Sequence, residues 1–73
     1  MEHPRISRDP KIMVGKPCIR GTRLTVEHVL RGLSHGASFD DMIAAYPRLT
    51  HADILAAISY AADYIGHESL IAA

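Results

Sequence analysis

The sequence predicts a mainly α chain: three helices in one small domain, preceded by a basic arm that is irregular or a short β-ribbon. Three observations carry this. The stretch Gly15-Lys16-Pro17-Cys18-Ile19-Arg20-Gly21-Thr22-Arg23 puts two glycines, a proline and three cations into nine residues. Glycine and proline cost a helix interior roughly 1 and 3 kcal/mol, so this is a tight basic turn around a short extended piece, Cys18-Ile19. After it, apolar residues recur at i, i+3, i+4 and i+7, the period of an amphipathic helix. Charge divides at a similar place. Residues 1–36 hold seven cations against three carboxylates, a net of +4, and residues 37–73 hold Arg48 against five carboxylates, a net of −4. The boundaries that follow are an arm over 1–24, helices over 25–65 and a tail over 66–73.

In the arm, Arg5-Ile6-Ser7 and Lys11-Ile12-Met13 are strand candidates around an Asp9-Pro10 turn. Cys18-Ile19 and Arg23-Leu24-Thr25 are the other extended pieces. A ribbon this short is barely stable alone.

Thr25 is placed to cap the first helix, where Val26, Val29, Leu30 and Leu33 form one stripe and Gly36 marks the stop. Gly32 interrupts that helix and points to a close packing contact. Ser38 opens the second helix, with Asp41 three residues on in capping-box spacing. Phe39, Met42, Ile43 and Tyr46 repeat the stripe, and Pro47 ends it. Thr50 caps the third helix, with Asp53 in its first turn. The link Tyr46-Pro47-Arg48-Leu49-Thr50 is tight enough for a helix-turn-helix, and equally suits any small helical bundle.

The third helix, His51 to Ile65, is apolar nearly all round. A helix of this kind needs burial on two sides, and the first two helices cover only one. Ile54, Leu55, Ile58, Ala61, Ala62 and Ile65 are therefore the expected contact surface for a second copy of the chain, giving a homodimer, or for another protein. The tail admits two readings: an extension of this helix, or a second apolar segment packed through Leu70 and Ile71.

At 73 residues the chain is a single domain, and one cysteine allows no internal disulfide. That cysteine count suits a reducing cytoplasm. The start of the chain is polar, with no signal-peptide core, and no apolar run reaches the roughly 20 residues that span a bilayer. His3, His28, His35, His51 and His67 are scattered away from Cys18, so no metal set is expected. No cofactor motif and no nucleophile–base constellation is visible. The chain does not read as an enzyme.

The run Gly15-Lys16-Pro17-Cys18-Ile19-Arg20-Gly21-Thr22-Arg23-Leu24-Thr25-Val26 resembles the G-K-P-x-I-x-G-T-R-x-x-V signature of the small prokaryotic proteins gathered as domain of unknown function family 433. Asp9-Pro10, Gly36-Ala37-Ser38, Tyr46-Pro47-Arg48-Leu49-Thr50 and Asp53-Ile54 fit the same pattern, so the resemblance covers residues 6–65. Cys18 stands where an aliphatic residue is common and reads as a small buried hydrophobe. The family is similar to helix-turn-helix proteins, and many members look like antitoxins encoded beside a toxin of PIN-like ribonuclease fold. The resemblance implies a homeodomain-like arrangement of the three helices, binding to operator DNA and neutralisation of such a toxin.

The candidate DNA contacts are Lys16, Arg20, Arg23, Arg48, Thr50 and His51. Arginines in a turn either clamp phosphate and guanine edges or tie down backbone carbonyls. Arg23, directly after Gly21-Thr22, leans to the structural role, and Lys16 and Arg20 lean to phosphate. Arg48, Thr50 and His51 stand where the second helix of a helix-turn-helix meets bases. Asp53 beside them would repel phosphate. Two outcomes stay open: the basic arm supplies most of the DNA contact, or DNA binding has been lost and the chain is a protein-interaction module.

Overall fold

A computed structural model describes residues 3–72, with side chains through His67. It is a small, mainly helical fold with a short antiparallel sheet and three helices. Strand β1 (Ile6–Ser7) pairs with β2 (Cys18–Ile19), Ile6 opposite Ile19 and Ser7 opposite Cys18. Ile6, Cys18 and Ile19 are all buried. Side-chain burial therefore holds a ribbon too short to hold itself. Cys18 also bridges to Thr25, and Ile19 N–H donates to Leu24 O at 2.9 Å, so the 20–24 turn closes tightly. Gly21 sits in that turn at φ +81°. The Cys18 thiol donates to Lys16 O, and burial pushes its pKa up, which fits a packing role.

Lys11-Ile12-Met13, expected as a strand, does not form one. Strand β1 pairs with β2 instead, which leaves this piece without a partner. Asp9 turns the chain, its Oδ1 accepting from Lys11 N–H at 2.9 Å and its carbonyl from Ile12 N–H at 2.8 Å. The chain then passes through Met13, Val14 and Gly15 at φ +50°, +57° and +79°. Two of these are non-glycine residues in the left-handed region, a strain of about 1–3 kcal/mol each.

Helix α1 spans Val26–Ser34, and Thr25 Oγ1 caps it by accepting from His28 N–H. Gly36 follows at φ +97°, a conformation suited to glycine past a helix end. Val26 and Val29 are buried, and Leu30 and Leu33 pack half-buried beside them. At Gly32 an added Cβ would lie 2.6 Å from Met42 Sδ, so glycine leaves room for the end of the Met42 side chain. Helix α2 spans Phe39–Ala45 and opens on a reciprocal capping box between Ser38 and Asp41. The N–H of Ser38 holds the Asp41 carboxyl below the usual carboxylate range.

Helix α3 spans His51–Ala72. It therefore runs past Ile65 to Ala72, the first of the two readings of the tail. The packing of the Leu70 and Ile71 side chains lies outside the described residues. Thr50 and Asp53 cap α3 reciprocally, Thr50 Oγ1 accepting from Asp53 N–H and Asp53 Oδ2 from Thr50 N–H, each at 3.1 Å. One core cluster joins every layer: Ile6 and Ile19 from the ribbon, Val26 and Val29 from α1, Met42 from α2, Leu49 from the link, and Ile54 and Ala57 from α3.

Candidate nucleic-acid interface

Arg20, expected to face phosphate, is exposed and lies along the ribbon. Its Nε donates to Pro4 O at 2.6 Å and its Nη2 to Ile6 O at 3.2 Å. A guanidinium holding two carbonyls of the arm is a clamp on this chain's own backbone. Lys16 Nζ lies 3.7 Å from Glu27 Oε1. Both side chains are about half exposed, so this pair is weak. Glu27 also accepts from Arg31 Nε at 3.2 Å, and Arg31, then Lys16, holds its carboxyl below the usual carboxylate range.

Arg23 and Arg48 are placed differently. Both are exposed, and neither makes a hydrogen bond or ion pair with another of the described residues. Both line one open cavity of about 750 Å³ between the 21–24 turn and the α2–α3 link, along with Ile12, Leu24, Tyr46 and Leu49. Two arginines 25 positions apart in sequence, unpaired among the described residues, thus line one cavity. The sequence leans Arg23 to the structural role and Arg20 to phosphate; in the fold Arg20 holds two backbone carbonyls and Arg23 holds none among the described residues.

Thr50 and His51 begin α3 at the end of the link that carries Arg48. The Thr50 hydroxyl accepts the cap hydrogen bond from Asp53, and the residue is exposed. His51 Nε2 lies 3.3 Å from Asp40 Oδ1, and its ring tilts against Phe39 at 5.4 Å between centroids. Asp53 is not the open repulsive charge that the sequence suggests. It is buried, and Arg5 Nη1 reaches its Oδ1 at 3.1 Å. Arg5 stands 48 positions away, and no spacing in the sequence announces the pair. His3 is another contact that the sequence leaves unread: its Nε2 lies 2.9 Å from Asp63 Oδ2, and its ring meets Tyr60 edge-on.

Of the six residues expected to form the outer face of α3, Ile54 is fully buried in the core and cannot take part. It belongs to the core cluster, because one side of α3 must complete the domain's own interior. Ala61 is half-buried. Leu55, Ile58 and Ile65 are 57%, 39% and 60% exposed, and Ala62 is exposed with them. Positions 55, 58, 62 and 65 follow the 3-4-3 spacing of a helix-pairing seam. Small uncharged residues, Ser59, Ala61 and Gly66, flank it.

Among the described residues no group of three or more His, Cys, Asp or Glu side chains could hold a metal ion, and no helix is long and apolar enough to cross a membrane. No curated protein matches the chain. The chain is similar to the crystal structure of a DUF433 member protein from Anabaena variabilis, with 30% sequence identity and a TM-score of 0.79 over 94% of this chain and 69% of that one. The model of the DUF433 family, described as proteins of unknown function, matches residues 6–61, which include the Gly15–Val26 run, the capped helices and the start of α3, and the chain therefore belongs to that family.

Proposed function

We propose that the chain is a DNA-binding regulator of the antitoxin kind. In this reading α1–α3 act as a homeodomain-like helix-turn-helix, and the outer face of α3 binds protein. The observation that carries it is the meeting of Arg23 and Arg48, unpaired among the described residues, beside the exposed start of α3. Cations next to the first turn of a second helix hold phosphate while that turn meets base edges. Thr50 and His51 stand at the base-facing position. The pairing of Asp53 with Arg5 supports the reading, since the guanidinium offsets the charge that would oppose phosphate there. Lys16 adds a secondary contact once released from Glu27, and Arg20 acts by holding the arm in place.

The seam Leu55-Ile58-Ala62-Ile65 would join two copies, as paired half-sites on an operator require. A PIN-like ribonuclease toxin is the partner that such a regulator would neutralise. The chain would act by binding, without catalysis or cofactor, in a reducing cytoplasm. A second reading, a protein-interaction module that leaves DNA alone, is favoured by the same apolar seam.

Fluorescence anisotropy with the DNA upstream of the chain's own reading frame separates the two. The regulator binds that fragment, and Arg23→Ala/Arg48→Ala weakens binding by about tenfold or more with the helical circular dichroism unchanged. Failure of the wild type to bind any duplex at low salt would leave the interaction module standing.

A further inference from the structure

The groove that Arg23 and Arg48 line is mostly apolar. Ile12, Leu24, Tyr46 and Leu49 form its walls, and among the described residues no carboxylate lines it. Phosphate would satisfy the two guanidiniums and leave those walls wet. A second unusual feature follows Ile12 in the sequence, outside the residues that line the cavity. Directly after Ile12, Met13 and Val14 are held at φ +50° and +57°, a region that a β-branched side chain resists. Val14 is 91% exposed and Met13 41%, so burial among the described residues does little to offset the strain. The turn is also braced. Gly15 N–H donates to Ile12 O, Lys16 N–H to Met13 O, and Arg8 Nε to Gly15 O. Strained backbone that the surroundings hold in place is characteristic of binding sites.

We propose that this groove, with Met13 and Val14 as its rim, docks an acidic, apolar-rich peptide segment of a partner protein. Apolar side chains of the segment fill the walls and cover Val14, and its carboxylates meet Arg23 and Arg48 in paired, charge-assisted hydrogen bonds. The cavity, about 750 Å³, is in the range of small-ligand sites and accepts a few side chains of an extended segment. The site shares Arg23 and Arg48 with the DNA reading but does not depend on it. If both hold, the segment and DNA compete, and the partner governs occupancy of the operator.

The test is binding of a short labelled peptide alternating glutamate with leucine, beside a glutamine–leucine peptide of equal length. The glutamate peptide should bind about tenfold tighter or more, and Arg23→Ala/Arg48→Ala should abolish the difference. Val14→Gly is the decisive variant. It relieves the left-handed strain, so the melting temperature holds or rises, while peptide binding falls several-fold as the apolar rim is lost. Equal binding of the two peptides, or no binding of either, overturns the proposal. So does a Val14→Gly variant that binds the peptide as wild type does. Duplex DNA bound through Arg23 and Arg48 with neither peptide bound overturns it too and leaves the regulator reading intact. Peptide binding without DNA binding does the reverse.

Discussion

Arg5 Nη1 lies 3.1 Å from Asp53 Oδ1 and ties the basic arm to the first turn of α3. The Asp53 side chain is 10% exposed and that of Arg5 53%. Asp53 also caps α3 through Thr50, so the same carboxylate sets the helix start and anchors the arm. Arg5→Ala should destabilise the fold by about 1–2 kcal/mol, less than a fully buried pair because Arg5 is half in water. Urea unfolding of the single variants and of Arg5→Ala/Asp53→Asn measures the coupling. Additive losses would show that the two side chains do not support each other.

Backbone conformation makes opposite predictions at two sites. Gly21, at φ +81°, has nothing within 4 Å of an added Cβ, so substitution there meets strain alone. Gly21→Val should cost on the order of 1–2 kcal/mol, and Gly21→Asn clearly less, because asparagine tolerates the left-handed region. Val14→Gly removes strain of the same kind and should stabilise by up to about 1 kcal/mol. Melting curves of the three variants decide it. A Val14→Gly protein less stable than wild type would contradict the assignment of strain.

Acid should weaken the start of α2. The Asp41 carboxyl is held low by the backbone N–H of Ser38, then by its side chain. A carboxyl with a depressed folded pKa contributes stability that is full above its unfolded value of about 4 and is lost as pH falls through the folded value. Asp41→Asn should therefore melt below wild type at pH 7, and the two should converge as pH falls below the folded value. A constant difference across that range would remove Asp41 from the account.

On α3 the two faces should respond oppositely to charge. Ile54 is fully buried, so Ile54→Asp should prevent folding. Ile58 is 39% exposed and Leu55 57%. Aspartate at either should leave the fold intact and weaken self-association by roughly ten- to a hundredfold, the equivalent of about 1.5–3 kcal/mol for one buried aliphatic side chain. Sedimentation at rising concentration checks this. A wild type that stays monomeric throughout would assign the seam to a different protein.

What the sequence made legible was local. Thr25, Ser38 with Asp41, and Thr50 with Asp53 each act within a few residues, and all three caps form. Gly32 could be read as a contact point because a glycine inside a helical stripe needs a reason, and Met42 supplies it. The fold beyond those caps depends on distant partners. Arg20 finds its acceptors 14 and 16 residues away, and Arg5 its carboxylate 48 away, so their roles followed from tertiary placement that no spacing encodes. The left-handed turn at Val14 was hidden because a valine between Met13 and Gly15 favours extended backbone by itself. The end of α3 was undecided because Gly66 can stop a helix or sit inside one, and here it sits inside.

In the proposed regulator, Arg23 and Arg48 hold DNA phosphate beside the start of α3. The direct measurement is the salt dependence of binding to the upstream DNA, for wild type and for Arg23→Ala/Arg48→Ala. Each phosphate contact adds about one unit to the slope of log Kobs against log salt, so the double variant should be shallower by up to about two units. Lys16→Ala should change the slope by less than either arginine, and an Arg23→Ala/Arg48→Ala protein that folds normally and keeps the wild-type slope would contradict the claim.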